Sequence, residues 1–373
     1  MIIGNKIFNT PHLEQLDIEL PDSIKIINGN EVNKTKMEIP TTITSLDENC
    51  FYKCYDLKQL IIPTIVKTIP FNTLMKLPQL QELTIESNKY ELNEDRLFYI
   101  EKECLHSIHL PSSIKKVNNE EVKPLQTYTI PTNVTKLSDY CFANCEELTE
   151  IKGLEHVKEI GKGCFLNCPK MNREQYPEVQ KNIEEYFKES VKEEHKKQLE
   201  EWTGLKCGDI LVDSNIDNWF RNVVVFMRRT NNKKRLTFII EDEDGEVFGF
   251  YLNSEIVYYN HDKEEETDSK SFEFNLQSKN NRLSNPMKFE IKDTTQTYYY
   301  FVGNYHDDCL MYLGDIILMK EHKKNTSYCC QNEDCFDYHG IKNALCGKTQ
   351  NYENDILKGE KFTPKRILII QMQ

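Results

Sequence analysis

Cysteine is the residue whose number and spacing in this chain most directly suggest chemistry. The sequence holds 13 cysteines among 373 residues. Six of them form three pairs with the spacing Cys-x-x-x-Cys, namely Cys50 and Cys54, Cys141 and Cys145, and Cys164 and Cys168. This spacing would place two thiols about one helical turn apart, and thiolates are zinc ligands. Because zinc needs four converging ligands, each pair alone could supply only half of a site.

A phenylalanine follows the first cysteine of every pair, and it favours a different interpretation. Phe51, Phe142 and Phe165 each lie 11 positions after Pro40, Pro131 or Leu154. A buried free cysteine behaves as a small apolar side chain. We therefore interpret the three phrases as the core of a structural repeat. The predicted core residues are Cys50, Phe51, Cys54, Cys141, Phe142, Cys145, Cys164, Phe165 and Cys168.

A denser group of possible ligands lies near the end of the chain. Cys329, Cys330, Cys335, His339 and Cys346 include the spacing Cys-x4-Cys-x3-His-x6-Cys. Three interpretations stay open: a structural zinc site, a redox-sensitive thiol pair, or ordinary packing. Adjacent residues of a strand point to opposite faces, which opposes a shared role for Cys329 and Cys330.

Residues 213–218 begin like a calcium-binding loop, but they do not complete the pattern. The sixth position is Asn218 instead of glycine, and the twelfth is Val224 instead of glutamate. We interpret this segment as the N-cap of a helix over Asp217–Met227. The chain also lacks the phosphate-binding, serine-nucleophile and zinc-protease motifs. We therefore expect a non-enzymatic protein with no cofactor and no bound metal.

The first 170 residues repeat at intervals of about 19 to 25 residues. The anchors are Pro21, Pro40, Pro63, Glu86, Pro111, Pro131 and Leu154. Between anchors the pattern is Pro-x-x-(Ile/Val)-x-x-(Leu/Ile), then Phe-x-x-Cys, then Leu-x-x-Leu-x-Ile-Pro. No single copy can bury its apolar residues alone, so neighbouring copies must stack into a solenoid. Two copies lack Phe-x-x-Cys, and we expect tight loops at Asn28-Gly29-Asn30 and Asn118-Asn119 instead.

This pattern resembles the BspA-like leucine-rich repeat family over residues 8–170. The resemblance implies a curved solenoid over residues 1–171, whose strand-lined concave face binds a protein. Residues between core positions should then face outward. The predicted concave row is Gln59, Ile61, Glu82, Thr84, Ser107, His109, Thr127, Thr129, Glu150 and Lys152.

Residues 172–203 have the composition of a helical linker. Val179, Ile183, Phe187 and Val191 recur every four residues, which predicts one long amphipathic helix of about 25 residues. It could be a strut that docks on a neighbouring domain or a dimerising coiled coil. The spacing of four favours the strut, and the sequence leaves the oligomeric state unknown.

The pattern becomes that of β-structure after Leu205. A hairpin is predicted from Leu236–Ile240 and Val247–Tyr251, which flank an Asp-Gly turn. Many short strands in residues 204–373 predict a mainly antiparallel β-sandwich with a few helices. The further predicted strands are Ser271–Leu276, Met287–Ile291, Thr297–Val302, Cys309–Tyr312 and Arg366–Met372.

Several phrases of this half are similar to the TLDc domain, in its divergent amoebal form. They are Gly245–Tyr251, Ser271–Leu276, Phe336–Gly340 with Ala344–Gly347, and Arg366–Met372. The resemblance implies a non-enzymatic domain associated with oxidative stress and with binding the vacuolar proton pump.

The net charge of −13 and the pI near 5.3 oppose nucleic acid or an anionic membrane as the main partner. No apolar run approaches the roughly 20 residues that would span a bilayer. The first residues do not have the pattern of a secretory signal. We therefore expect a cytoplasmic protein with reduced thiols. Its expected role is that of an adaptor, in which the repeat face binds one protein and the TLDc-like domain a second.

Overall fold

The computed structural model describes residues 2–3, 6–9, 14–19, 26–27, 30–31, 35–47, 50–51, 54, 56–217, 228–256, 265–266, 270–279, 283–292, 297–301, 309–319, 327–331, 333–347, 350–353, 356–359 and 361–373. The chain divides into two compact units, Met1–Tyr186 and Phe187–Gln373. The repeat anchor Pro21, the loop residues Asn28-Gly29 and residues 218–227 of the predicted helix lie outside the described residues. No helix among the described residues has the length and apolar character needed to cross a membrane.

The N-terminal unit consists of short strands that pair in ladders, as expected for a solenoid. Its strands are β1 (Ile2–Ile3), β2 (Lys6–Asn9), β3 (Glu14–Glu19), β4 (Ile26–Ile27), β5 (Asn30–Glu31), β6 (Lys36–Glu38), β7 (Gln59–Ile62), β8 (Glu82–Ile85), β9 (Glu91–Asn93), β10 (Arg96–Glu101), β11 (Cys104–His109), β12 (Lys116–Val117), β13 (Glu120–Glu121), β14 (Thr127–Thr129), β15 (Lys136–Leu137), β16 (Glu150–Lys152) and β17 (Glu159–Ile160). Two 3-10 helices are Leu74–Lys76 and Leu154–His156.

Strands from successive repeats lie side by side in parallel. β6 pairs with β7 and β7 with β8, each step joining residues 23 apart, such as Gln59 and Glu82. A second ladder joins β11, β15 and β17, also in parallel. Alternate side chains of these strands point inward, and Leu60, Leu83 and Val117 are almost fully buried. The repeat period therefore sets the register of β6, β7 and β8 and that of β15 with β17, whereas β11 pairs with β15 at a separation of 32 residues.

The phenylalanine–cysteine phrases form buried turns between the strands. Phe51, Phe142 and Phe165 are fully buried. The backbone N–H of Phe142 donates to Cys164 O at 2.9 Å, and that of Asn144 donates to Leu166 O at 2.8 Å. Asn144 and Asn167, which precede the second cysteine of their phrases, both have positive φ, where asparagine is tolerated. The two phrases therefore stack as equivalent rungs.

Residues 91–109 interrupt this regular stacking. β9, β10 and β11 form an antiparallel meander, and β11 joins the second ladder through β15. The strand next to β8 is consequently β12, whose Lys116 lies opposite Glu82. β12 and β13 form a hairpin around Asn118 and Asn119, both with positive φ. This turn confirms the tight loop predicted there, since a two-residue type I′ turn needs positive φ at both positions.

The predicted single linker helix is wrong, because the segment contains two helices. They are α1 (Pro177–Ser190) and α2 (Glu193–Thr203). Lys192 between them has an extended ψ of 140°. The division between the two units falls within α1, after Tyr186. Val179 and Ile183 pack in the N-terminal unit, whereas Val191 and Leu199 are buried residues of the C-terminal unit.

The C-terminal unit is rich in antiparallel sheet. Its strands are β18 (Cys207–Asp213), β19 (Leu236–Asp242), β20 (Val247–Leu252), β21 (Glu265–Glu266), β22 (Phe272–Gln277), β23 (Met287–Glu290), β24 (Thr297–Phe301), β25 (Cys309–Leu313), β26 (Ile316–Met319), β27 (Tyr328–Cys329), β28 (Gln350–Glu353), β29 (Ile356–Gly359) and β30 (Pro364–Met372). A six-stranded sheet has the order β18-β30-β19-β20-β22-β23, and a five-stranded sheet has the order β21-β24-β25-β26-β27.

The six-stranded sheet is covered on both faces, since β19, β20 and β22 are buried along nearly their whole length. On one face Trp202 of α2 contacts Phe272 and Phe274 of β22. On the other face Glu273 accepts a hydrogen bond from the backbone N–H of Asp315, in the turn between β25 and β26. The predicted hairpin of β19 and β20 is confirmed, with Gly245 at positive φ in its turn.

Candidate protein-binding face of the repeat unit

The strands β6, β7, β8 and β12 present a continuous solvent-exposed surface, which we name the β6–β8 face. One row crosses the strands through residues that lie opposite one another: Lys36, Gln59, Glu82 and Lys116. A second row contains Glu38, Ile61 and Thr84. All seven side chains are exposed except Ile61, which is half-buried. Parallel pairing at fixed register holds these side chains at regular spacing.

The face is mixed in charge and has one apolar position. Gln59 Nε2 donates to Glu82 Oε2 at 2.7 Å, which links two neighbouring strands across the surface. Lysines lie at both ends of this row and glutamates lie within and beside it. Because the rim of a typical protein interface is polar and its centre holds apolar contacts, this composition suits a protein partner better than lipid or nucleic acid.

Lys36, Glu38 and Lys116 were not predicted to belong to the face. The first two could have been found, because Lys36–Pro40 aligns with Gln59–Pro63 at the period of 23. Lys116 gave no such signal, since its place beside β8 depends on the meander of β9–β11.

Four further predicted residues lie on a separate pair of strands. β14 pairs with β16, with Thr127 opposite Glu150 and Thr129 opposite Lys152. Their side chains are exposed, except that Glu150 is half-buried. The predicted single row is thus divided into the β6–β8 face and the β14–β16 pair.

Ser107 and His109 were predicted to face outward in this row, and this expectation is wrong. Their exposed fractions are 3% and 0%. Ser107 Oγ donates to Cys141 O at 2.6 Å, and His109 Nε2 lies 2.9 Å from Tyr140 O. The latter contact requires the proton on Nε2, since a carbonyl oxygen can only accept. Both side chains therefore belong to the interior.

The reason lies in the short repeat between Pro111 and Pro131, which has no phenylalanine–cysteine turn. In the following repeats, Cys164 O and Leu166 O accept hydrogen bonds from the previous rung. The equivalent carbonyls one period earlier belong to Cys141 and Ala143. Ser107 Oγ bonds the first, and the buried Arg96 Nη2 donates to the second at 2.8 Å. Side chains of the meander thus replace the missing rung, as buried carbonyls require partners.

The predicted core cysteines are buried in their repeats, apart from Cys54, which is half-buried. Burial raises the pKa of the thiols of Cys50, Cys141, Cys164 and Cys168, and it raises that of Cys145 to about 11. These groups stay protonated at neutral pH and pack as small apolar side chains.

The structure brings together only part of the second cysteine group. Cys329 and Cys346 are both 2% exposed, and their thiols are hydrogen-bonded to each other. His339 is exposed, with Nδ1 3.5 Å from Asp337 Oδ2. Burial raises the pKa of Cys329, and it raises that of Cys330 to about 11. Among the described residues, no group of three or more possible ligands is arranged to hold a metal ion.

The segment that begins like a calcium loop uses its carboxylates in ion pairs. Asp217 Oδ2 lies 2.7 Å from Arg229 Nη1, and both side chains are at most 5% exposed. Asp213 Oδ1 accepts from Arg366 Nε at 3.1 Å. Asp213 also accepts from the backbone N–H of Asn215 at 2.9 Å. With each carboxylate neutralised by an arginine, the segment holds the strands together and is unsuited to a cation.

Comparison with known proteins places the repeat unit in a family. Residues 1–121 and 101–194 match the BspA type leucine rich repeat region, in 6 copies. Together these matches span residues 1–194 of the 373 in the chain. No curated protein matches the chain.

Solved structures of bacterial leucine-rich repeat proteins resemble part of the chain. A leucine rich cell surface protein from Faecalibacterium prausnitzii A2-165 is 25% identical, with 36% of this chain and 33% of that chain covered and a TM-score of 0.26. The pneumococcal vaccine antigen PcpA is 19% identical, with 37% and 38% covered and a TM-score of 0.27. The T. pallidum leucine rich repeat protein is 18% identical, with 41% and 85% covered and a TM-score of 0.23.

The chain thus spans about a third of the length of the F. prausnitzii structure. The resemblance predicted from Ile-Pro and Phe-x-x-Cys is confirmed by the family match over more than half of the residues. This chain therefore belongs to the BspA type leucine-rich repeat family.

Proposed function

We propose that this protein is a non-enzymatic adaptor of the cytoplasm. In this proposal residues 1–171 form the repeat domain, 172–203 a helical connector and 204–373 a second binding domain. The β6–β8 face binds one protein partner, and the C-terminal domain binds another.

The observation that carries the proposal is the exposed array of β6, β7, β8 and β12. Strands in register present Lys36, Gln59, Glu82 and Lys116 in one line, with Ile61 beside it. Leucine-rich repeat proteins generally mediate protein interactions, and the period supplies a rigid surface for such contacts. The buried, protonated thiols of the repeat core offer no competing chemistry.

Affinity purification of the full chain tests this proposal. The variant carries Ile61→Glu and Glu82→Lys, which changes the shape and charge of the face while leaving its buried side chains intact. The control carries Glu155→Lys and Lys158→Glu at exposed positions of the same unit. We expect partners bound by the wild type and by the control to be lost from the face variant. Equal recovery from all three proteins would contradict the proposal.

A second candidate function rests on the C-terminal unit. We propose that residues 204–373 form a TLDc-like sandwich that regulates the vacuolar proton pump under oxidative stress. The supporting observation is the pair of antiparallel sheets in contact between β22 and the β25–β26 turn.

The second candidate predicts that pump subunits are recovered with the full chain and still recovered with the Ile61→Glu, Glu82→Lys variant. Recovery of partners that all depend on the β6–β8 face would contradict it. A metal- or thiol-dependent activity at Cys329–Cys346 is the remaining alternative to these two binding functions. It receives no support, because Cys329 is a buried thiol with a raised pKa and His339 is exposed.

A further inference from the structure

A cavity of about 240 Å³ lies within the C-terminal unit, between the two helices and the six-stranded sheet. The end of α1 and the start of α2 form one wall, and strands β19, β20, β22 and β30 form the other. Its floor is apolar, with Val191, Ile239, Val247 and Leu368 as lining residues. Each of these four is at most 8% exposed. These four side chains therefore offer a ligand an apolar surface.

Two of the charged groups that line the cavity already have close partners. Arg366 Nη2 donates to Ser190 Oγ at 2.9 Å, and its Nε donates to Asp213. Glu241 Oε1 accepts from Lys365 Nζ at 2.5 Å. Because these charges are compensated inside the protein, they define the walls of the cavity without setting its preference for a ligand.

Lys192 also lines the cavity. Among the described residues, no carboxylate lies close to its ammonium group. Its Nζ donates to Gln277 Oε1, a neutral acceptor. The nearest acidic atom is Glu194 Oε1 at 4.0 Å, on a side chain that is 74% exposed. An exposed ion pair at this distance contributes little. The ammonium group of Lys192 is therefore available to an anion.

His195 is the most unusual group in the cavity wall. The residue is 6% exposed, and its side chain makes no hydrogen bond among the described residues. Its Nε2 lies 4.0 Å from Glu194 Oε1, beyond hydrogen-bonding distance. Burial, and then the charge of Lys192, lower the pKa of His195, whereas Glu194 and Glu241 oppose this shift. Because the imidazole makes no hydrogen bond among the described residues, its N–H can donate to an acceptor on a ligand.

We propose that this cavity binds a small organic carboxylate. The carboxylate lies between Lys192 and the N–H of His195, and a short apolar chain covers Val191, Ile239 and Leu368. A cation is disfavoured because Lys188 and Lys192 already line the site. Phosphate lacks the apolar part that would cover Val191, Ile239 and Leu368.

Isothermal titration of the full chain with hexanoate tests this inference, with hexylamine and inorganic phosphate as comparison probes. We expect hexanoate to bind and the other two probes not to bind. Lys192→Gln should weaken hexanoate binding about tenfold or more, the usual effect of losing a charged hydrogen bond. Lys197→Gln, at an exposed position of the adjoining helix α2, is the matched control and should bind as the wild type does.

A second readout follows the imidazole itself. A carboxylate next to His195 favours the charged ring, so its pKa should rise when hexanoate binds. NMR titration of the His195 ring with and without hexanoate measures this change, and it needs no variant. Absence of hexanoate binding at millimolar concentration would overturn the inference. Unchanged affinity in Lys192→Gln, equal binding of hexylamine, or an unchanged His195 pKa would overturn it as well.

Discussion

Phe142 and Phe165 stack with their ring planes 2° apart and their centroids 5.7 Å from each other. They occupy the same position of repeats that are 23 residues apart. Both rings are fully buried. Offset stacking of this kind adds to the energy of burial, so each rung stabilises the next through a specific contact.

The first prediction concerns this contact. Phe142→Ala should lower the free energy of unfolding by about 3–5 kcal/mol, because it removes a buried ring and leaves a cavity. Urea denaturation followed by circular dichroism measures the loss. Phe142→Leu, Phe165→Leu and the double variant complete a cycle that should show about 0.5–1.5 kcal/mol of coupling. Strict additivity of the two single effects would mean that the ring contact does not stabilise one rung against the next.

The second prediction follows from the buried position of His109. His109→Ala removes the hydrogen bond to Tyr140 O and the edge contact with the Phe71 ring, which has a centroid distance of 5.5 Å. We expect a loss of about 2–5 kcal/mol in unfolding free energy. The control is His156→Ala, since the His156 side chain is 46% exposed and should change stability little. Equal stability of the two variants would show that His109 lies at the surface.

The third prediction concerns the ion pair of Asp217 and Arg229. Asp217→Asn leaves the guanidinium buried without its counter-charge, which should cost about 3–5 kcal/mol. Glu290→Gln breaks the exposed pair with Lys288 and should cost less than about 1 kcal/mol. Thermal denaturation of both variants compares the two losses. If the wild type lost stability on chelation and regained it when calcium was added back, the structural role of Asp217 would be contradicted.

A buried carboxyl pair gives the C-terminal unit a dependence on pH. Tyr338 Oη lies 2.5 Å from Glu273 Oε2 and 2.6 Å from Asp315 Oδ2. The hydroxyl has one proton and can donate to only one of these oxygens. The other short contact therefore requires a protonated carboxyl group. Burial, and then the charge of Asp315, raise the pKa of Glu273 well above its ordinary value, so Glu273 holds that proton.

The fourth prediction is the resulting pH profile. The folded protein keeps a proton on Glu273 that the unfolded chain releases above about pH 4.3. This contribution to stability is complete below that pH and is lost as pH rises toward the higher folded pKa. Unfolding free energy should fall by about 1.4 kcal/mol per pH unit over this window. Cys329, Cys330 and Cys346 also face this pair and are unchanged in the test.

Urea titrations from pH 5 to pH 8 measure this slope. Glu273→Gln should flatten it, since the amide cannot lose a proton. Glu243→Gln, at an exposed position of the hairpin between β19 and β20, should keep the slope of the wild type. An identical slope in the Glu273 variant would assign the proton to another group.

Local repetition made part of this structure predictable. The positions of Phe51, Phe142 and Phe165 recur with the anchors Pro40, Pro131 and Leu154, so their burial and register follow from the sequence alone. Pairing between distant strands does not follow from the sequence alone. The placement of Lys116 beside Glu82, and of Ser107 and Arg96 on the carbonyls of Cys141 and Ala143, depends on how residues 91–109 fold back.

The break between α1 and α2 also could not be predicted from local sequence. Residues 190–193 contain neither glycine nor proline, and their apolar spacing continues that of a helix. The helix nevertheless ends at Ser190 because Val191 and His195 are buried in the C-terminal unit, and tertiary packing overrides local propensity.

Site-specific photo-crosslinking in cells tests the central claim most directly. A photoreactive amino acid at Thr84, on the β6–β8 face, should form a covalent adduct with a discrete protein partner. The same group at Lys158, exposed on the same unit, should not form that adduct. Adducts from both positions, or from Lys158 alone, would contradict the assignment of the β6–β8 face as the partner-binding surface.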